Sequence, residues 1–372
     1  FMFFFGFFNN TTATTEIIRD LAVSRQVASI AVTGNFITLL IGQIVAGVLG
    51  DRIRPRHLVT MGLVVSGIIN LVMGFLPNIW WMTALWTVNG FFQAFLWPPL
   101  VRVMAENMDA GQYAKAALAV SVSSSAGSLL IYLLVPLAIV AAGWRLSFWG
   151  AGAVGLFVGA VWMIGTAGVK EGSPRRREQT SDDHPVSLGR VIRLSGLVPL
   201  FFAMIALGAL RDGVTTWMPT YIYDQYKLSS SFSIFTSTLL PVFGMAGIML
   251  AGRMEKRFRN LTKSSTILFV VTAAAIVVML PFYNKNLILC VLLISVVVGC
   301  AYGLTHLLTG QLPGVYSKYG CVARISGLTT AAFYIGSTLS TYGYAALSDN
   351  FGWFVTIVSW LMLAGLGIFT CA

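Results

Sequence analysis

The sequence predicts an all-α polytopic membrane protein: twelve transmembrane helices arranged as two pseudo-symmetric six-helix bundles. Three observations carry that expectation. Of the 372 residues 57% are hydrophobic and only 10% are charged, with a mean hydropathy of +0.80; soluble domains carry about 25% charged residues. Apolar runs of about 20 residues, each long enough to cross a bilayer, recur along the chain. Pieces of the first half also return in the second at a nearly fixed distance.

The spans are expected near 1–17, 27–49, 58–76, 79–104, 113–141, 146–168, 196–222, 231–252, 264–282, 286–309, 323–346 and 352–371. The first opens "FMFFFGFF", without a basic n-region or cleavage site, and reads as a helix entered partway along, not as a signal peptide. With the N-terminus inside, the loops on that side hold seventeen of the 24 Lys and Arg, among them Arg52, Arg54, Arg56, Arg175, Arg176 and Arg177. The opposite loops hold Arg19, Arg25, Arg145, Lys227 and Lys285, and Arg102 and Arg211 fall within spans. This bias places both termini in the cytosol and explains the net charge of +11 without a nucleic-acid partner. The expected setting is the inner (plasma) membrane, with lipid as a partner and the Trp80–Trp81 pair at the interface.

One long polar stretch, "KEGSPRRREQTSDDHPVSLGR" from Lys170 to Arg190, cannot bury a core. It reads as a cytosolic linker, 169–194, between bundles at 1–168 and 195–372. The bundles repeat. "AGS" at Ala126–Ser128 precedes "GW" at Gly143–Trp144, and "IGS" at Ile335–Ser337 precedes "GW" at Gly352–Trp353, with an offset of 209 for both elements. Asp51–Arg52 and Glu255–Lys256 are 204 apart. Two six-helix repeats about a midplane site form a transporter architecture.

Cys290, Cys300, Cys321 and Cys371 show no metal spacing and read as unpaired core residues. No hydrolase triad, phosphate-cradling glycine loop or metal-ligand cluster appears at usable spacing, so neither an enzyme nor a cofactor or metal is expected. Transport would run on a gradient or by exchange.

Two motifs are informative. "GVLGDRIRPRHL", Gly47 to Leu58, follows the second span: Gly47 would let a neighbouring helix approach closely, while Asp51 faces basic groups in one conformation and loses them in the other. "NGFFQAFLWPPLVR", Asn89 to Arg102, puts two prolines in the fourth span and forces a bend there. The first motif resembles the loop signature of the major facilitator superfamily, matched by Gly47, Asp51, Arg52 and Arg56, with Pro55 in place of one arginine. Within that superfamily the second closely resembles the organophosphate:phosphate antiporter family, carriers of glycerol phosphate and hexose phosphates. "LRDGVTTWMPTY" around Arg211 resembles that family's helix 7, whose arginine binds the substrate phosphate. "SGLTTAAFYIGS" and "DNFGW" agree, so the resemblance runs from about Ile17 to Trp353.

The departures bear on the substrate. The family's second phosphate-binding arginine falls at Phe8 or Asn9, its helix 2 lysine at Gln43, and the histidine of its glycerol-phosphate carriers at Ser123 or Ser124. Of that basic site Arg211 alone remains, which argues against a dianionic phosphate held between two arginines and makes a monoanion such as a carboxylate a rival.

A charge at bilayer depth costs at least about 2.5–3.5 kcal/mol, and intramembrane ionisable groups are functional by default. Arg211 reads either as the anion anchor or as a structural partner of an acid. Asp212 is adjacent, but consecutive residues on an α-helix point about 100° apart and need not pair; on this reading Arg211 is an unpaired cation. Asp212 is then a proton-coupling carboxylate or a local partner tempering that charge. His306 in span 10 is either protonation-sensitive or a packing residue. Asn9, Asn10, Gln43 and Gln93 are amides that hydrogen-bond a ligand or glue helices, and Trp97, Trp217 and Tyr334 wall a cavity or simply pack. The expectation is a monomeric secondary active transporter of a small organic anion. The rival classes are a membrane sensor of a sugar phosphate and an efflux carrier of amphipathic compounds.

Overall fold

A computed structural model describes residues 17, 20–21, 25–168, 197–227, 239–317 and 322–371. Most of the first expected span, Asn9 and Asn10 with it, the linker and residues 231–238 lie outside these. The helices are α1 Arg25–Gly50, α2 Pro55–Met73, α3 Ile79–Gln93, α4 Trp97–Asn107, α5 Ala110–Ala142 and α6 Trp144–Gly165. The second half contributes α7 Leu197–Tyr226, α8 Leu239–Phe258, α9 Leu261–Met279, α10 Leu287–Val315 and α11 Val322–Cys371. There is no strand among the described residues.

Eight of these helices are long and apolar enough to cross a membrane. The difference from twelve has local causes. The fourth span is broken at residues 94–96, just ahead of Pro98 and Pro99, into α3 and α4. Arg253, Glu255, Lys256 and Arg257 occupy the last turns of α8. The two last spans form one 50-residue run, α11, bent only at Gly352. The first span is not described.

Helix starts follow local chemistry. Asn78 accepts from the Trp80 N–H at the head of α3, Asn260 from the Lys263 N–H at α9, and Asn286 from the Leu289 N–H at α10. Asp109 and Gln112 close a reciprocal capping box on α5. Large apolar side chains stand exposed, Trp80 and Trp81 among them, as a lipid-facing surface requires.

The described residues form two compact units. The first draws on Phe1–Ala116, Ala126–Ser187 and Pro313–Ala331, the second on Ala117–Ser125, Leu188–Leu312 and Ala332–Ala372. In the first, α1 packs along α3 and α2 along α6; in the second, α10 packs against α8 and α9. The first core centres on Trp86, Phe148 and Trp144, with Phe148 edge-on to both indoles at 6.0 and 5.7 Å. Because lipid is as apolar as a leucine side chain, such helices associate through close packing and small residues.

The internal repeat is visible in local structure. Gly143 and Gly352, each before its tryptophan, have φ/ψ of 81°/172° and 79°/173°. The Trp144 indole N–H donates to Asp20 at 3.0 Å and that of Trp353 to Asp224 at 3.1 Å. Arg145 adds an ion pair to Asp20 at 2.8 Å. The hydrogen bonds from Trp144 and Arg145 hold the Asp20 carboxyl below its ordinary pKa.

Candidate functional site

The site begins where α7 crosses α11. A Cβ on Gly208 would collide with the Phe333 carbonyl, and one on Gly336 with the Ile205 carbonyl. Only glycine permits this approach, which brings Phe333 and Ser337 of α11 onto α7. Directly after Gly208 the helix winds into a π-turn, Ala209–Gly213, that contains both Arg211 and Asp212. Such i→i+5 turns are rare and concentrate at functional sites.

Arg211 is buried, and its guanidinium is held on three sides. Nε donates to Asp212 Oδ1 at 2.8 Å. Nη1 reaches Thr305 Oγ1 of α10 at 3.4 Å, a long hydrogen bond. The guanidinium carbon lies 4.3 Å from the ring centre of Phe333 and 5.3 Å from that of Tyr302. Asp212 accepts a second hydrogen bond, from the Ser337 hydroxyl at 2.8 Å. The unpaired cation expected from α-helical spacing is therefore corrected: Arg211 and Asp212 pair. The π-turn brings successive side chains closer in angle than the ~100° of an α-helix, and Nε is near enough to the backbone for a neighbour to reach.

The other expected ligand residues are distributed. In the second unit, Tyr334 is buried with its ring edge-on to Phe333 at 5.3 Å. Trp217 is half-buried, and its indole N–H donates to the Thr341 carbonyl at 3.1 Å. His306 opens a second π-turn, His306–Gln311, one residue beyond Thr305. Its Nδ1 lies 2.9 Å from Ser121 Oγ of α5, while Nε2 is buried without a hydrogen-bond partner among the described residues. The Ser123 hydroxyl turns back to the Ala119 carbonyl of its own helix at 2.7 Å.

In the first unit, Gln93 and Gln43 are almost wholly buried, and neither amide atom of either has a partner among the described residues. Asn89, one turn before Gln93, and the Trp97 indole N–H share that condition. Leaving such groups unbonded costs about 1–3 kcal/mol each.

The Gly47–Arg56 loop makes its own cluster. A Cβ on Gly47 would meet the Ala323 carbonyl at 2.9 Å and the Gly327 Cα at 3.2 Å. Asp51 pairs with Arg324 at 2.5 Å and accepts the Ala323 N–H at 3.2 Å. Burial pushes the Asp51 carboxyl above its ordinary pKa, against the pull of Arg324. Arg56 Nη2 donates to the Met163 carbonyl at 2.5 Å, and Arg52 is exposed. Arg102, buried in α4, is satisfied by Glu106 at 2.7 Å and the Gly50 carbonyl at 2.6 Å.

Residues 1–341 match the Major Facilitator Superfamily family model. The chain belongs to that superfamily. A probable hexose phosphate transport protein of Chlamydia muridarum is 22% identical over 97% of this chain and 86% of its own. The membrane sensor protein UhpC of Escherichia coli K12 is 21% identical over 96% of this chain and 86% of its own. Among solved structures, the FucP transporter in its outward conformation superposes with a TM-score of 0.74 at 12% identity, covering 99% of this chain and 97% of that one. The superfamily fold, all-α with twelve membrane-spanning helices in two six-helix bundles, is thus the fold of this multi-pass membrane protein.

Sequence reasoning missed Phe333, Tyr302, Thr305, Ser337 and Arg324 as partners. Phe333 and Ser337 lie within the quoted "SGLTTAAFYIGS", and Ser337 ends the repeated "IGS". Arg324 counted only toward the positive-inside bias, and nothing marked Tyr302 or Thr305.

Proposed function

We propose that this superfamily member is a secondary active transporter carrying a small organic anion by alternating access, in exchange for another anion or together with protons. The observation that carries the reading is Arg211: a buried arginine with its Nε edge committed to Asp212 and its Nη edge held, among the described residues, by the long contact to Thr305. A guanidinium edge of that kind receives the two oxygens of a carboxylate or phosphate in a planar fork. The named activity of the Chlamydia relative supports a phosphorylated sugar, while the single arginine supports a carboxylate equally.

In this reading Asn9, Asn10, Gln93, Trp97, Ser123, Trp217, His306 and Tyr334 complete the ligand environment. Gly47, Asp51, Arg52 and Arg56 form the gate. Repeats 1–168 and 195–372, joined by 169–194, work as a monomer in the inner (plasma) membrane with both termini in the cytosol. The Escherichia coli relative favours one second reading, a sensor that binds the same ligand without carrying it. Vesicles containing only this protein should accumulate labelled anion under a counter-anion or proton gradient. Binding without uptake under every gradient selects the sensor, and absence of both rejects an anion site.

A further inference from the structure

The Arg211–Asp212 pair sets how much charge a ligand brings to this site. Both side chains are nearly buried, with 11% and 13% of their surface exposed. Arg211 spends Nε on Asp212; Asp212 spends one oxygen on Arg211 and the other on Ser337. The guanidinium is flanked by Phe333 and Tyr302. What remains for a ligand is the edge formed by Nη1 and Nη2, whose one hydrogen bond among the described residues is the 3.4 Å contact to Thr305.

With both groups ionised the pair is neutral. Among the described residues the other ionisable groups around it are the phenols of Tyr302 on α10 and Tyr334 on α11, which carry no charge as phenols. His306, next to Thr305 in sequence, turns instead to Ser121 of α5. Among the described residues no third charge is therefore at hand to compensate a ligand. An anion on the Nη edge puts two negative groups on one cation in a poorly solvated interior. Carboxylates so placed respond by one of them taking a proton.

We propose that the ligand binds as a monoanion accompanied by one proton, and that Asp212 receives that proton. The inference rests on the reading of Arg211 as the anion site. Its charge balance closes. Before loading, Arg211⁺ and Asp212⁻ sum to zero. On loading, a proton bonds to Asp212 Oδ1 and the charge-assisted bond from Arg211 Nε to that oxygen is lost. The ligand oxygens take Nη1 and Nη2, Ser337 continues to donate to Oδ2, and the site is again neutral. Unloading reverses each step. A carboxylate and the singly ionised form of a phosphate monoester share this chemistry; a dianion does not.

The test is isothermal titration of the purified full-length protein in buffers of different ionisation enthalpy, between pH 5.5 and 8. The probes are gluconate, glucose 6-phosphate and inorganic phosphate. Gluconate keeps a single charge across this range, since a carboxylic acid ionises near pH 4, so any pH dependence of its binding belongs to the protein. The expected result is one proton taken up per bound gluconate, with affinity falling as pH rises, by about tenfold per pH unit where a full proton is taken up. In Asp212→Asn, uptake should vanish and affinity become independent of pH. His306→Gln, as a change in the ligand environment, should lower the affinity, but the count of one proton per bound gluconate should persist, which assigns the proton to Asp212 and not to the imidazole. Retained gluconate binding reports that the Asn variant is folded; should it not fold, proton uptake by the unaltered protein and its persistence in His306→Gln still decide. Glucose 6-phosphate binding without gluconate binding would mark the phosphate ester as the source of the monoanion, and its proton count should then remain one after correction for the ester's own ionisation. Binding without proton uptake, uptake unchanged in Asp212→Asn, or uptake lost in His306→Gln overturns the proposal and leaves the anion-carrier reading standing. Failure of all three probes to bind overturns the carrier reading, and the proposal with it.

Discussion

Gly143 and Gly352 lie 209 residues apart and share one backbone conformation, with φ/ψ of 81°/172° and 79°/173°. A side chain at this φ and ψ meets its own backbone, so the region belongs almost wholly to glycine. Each glycine turns the chain into a tryptophan whose indole N–H finds an aspartate, Asp20 in one repeat and Asp224 in the other. The two repeats thus preserve a corner and the bond that fastens it.

Gly352→Ala should accordingly destabilise the protein by about 1–3 kcal/mol, read as a lower melting temperature in detergent. Its Cβ would meet no other group within 4 Å, so the cost is conformational. Gly365→Ala, on the same helix with open space and no left-handed φ, should be neutral or slightly stabilising. Equal melting temperatures for the two variants would remove the backbone argument.

Asp51 predicts a pH dependence of known sign. Its carboxyl is raised above the ordinary range where it is buried against Arg324 and Ala323, with burial outweighing their pull. If gating exposes Asp51 and returns it to its ordinary value, the docked arrangement binds the proton more tightly. Docking is then favoured fully below the ordinary carboxylate range near pH 4 and loses that advantage as pH rises through the raised value. A spin-label distance between the ends of α1 and α11 should report more docking at acid pH. Asp51→Asn should flatten that dependence, slow transport and leave ligand affinity within a few-fold. An unchanged pH profile in Asp51→Asn would exclude Asp51 as its origin.

The fold was legible because lipid enforces long apolar helices, and because Pro98–Pro99 and the two Gly–Trp corners carry their geometry in residue type. Helix ends were less so: α8 runs to Phe258, six residues beyond the expected end, since Arg253 to Arg257 extend a helix without being apolar. Within the site, Arg211 announced itself as a charge in an apolar run. Its pairing with Asp212 did not, because helical spacing read from sequence assumes α geometry and nothing in "ALRDG" marks a π-turn. The guanidinium's cover was equally hidden: Phe333 is one aromatic among 25 phenylalanines, and only the crossing at Gly208 and Gly336 singles it out.

Gln93 offers a prediction in which two measurements move in opposite directions. A Cβ on Gly42 would meet Ala94 at 2.7 Å, which places the neighbouring Gln43 at the depth of Gln93 on the α1–α3 pair. Both amides are buried without partners among the described residues. If they await ligand hydroxyls, Gln93→Met should raise the melting temperature by relieving an unbonded polar group, yet weaken a polyhydroxylated ligand such as gluconate about tenfold. A lower melting temperature with unaltered affinity would show the amide to be helix glue.

The decisive variants concern both members of the buried pair. An unpaired Arg211 could be neutralised at no structural cost, but Arg211 is paired. Arg211→Gln leaves Asp212 buried without its counter-charge, a loss of about 3–5 kcal/mol in comparable pairs, so the melting temperature should fall. Arg211→Gln combined with Asp212→Asn removes both charges, keeps the volumes, and should restore much of that stability. Anion affinity separates function from structure. Losing a charge-assisted fork in a partly desolvated site costs roughly 2–5 kcal/mol, about thirty-fold to several thousand-fold in Kd. The double variant should therefore be folded and fail to bind. Arg211→Lys should also bind poorly, because an ammonium cannot present two parallel N–H groups to one carboxylate. A double variant that melts normally and still binds anion with undiminished affinity would reduce Arg211 to a helix-packing residue and move the anion site elsewhere in the chain.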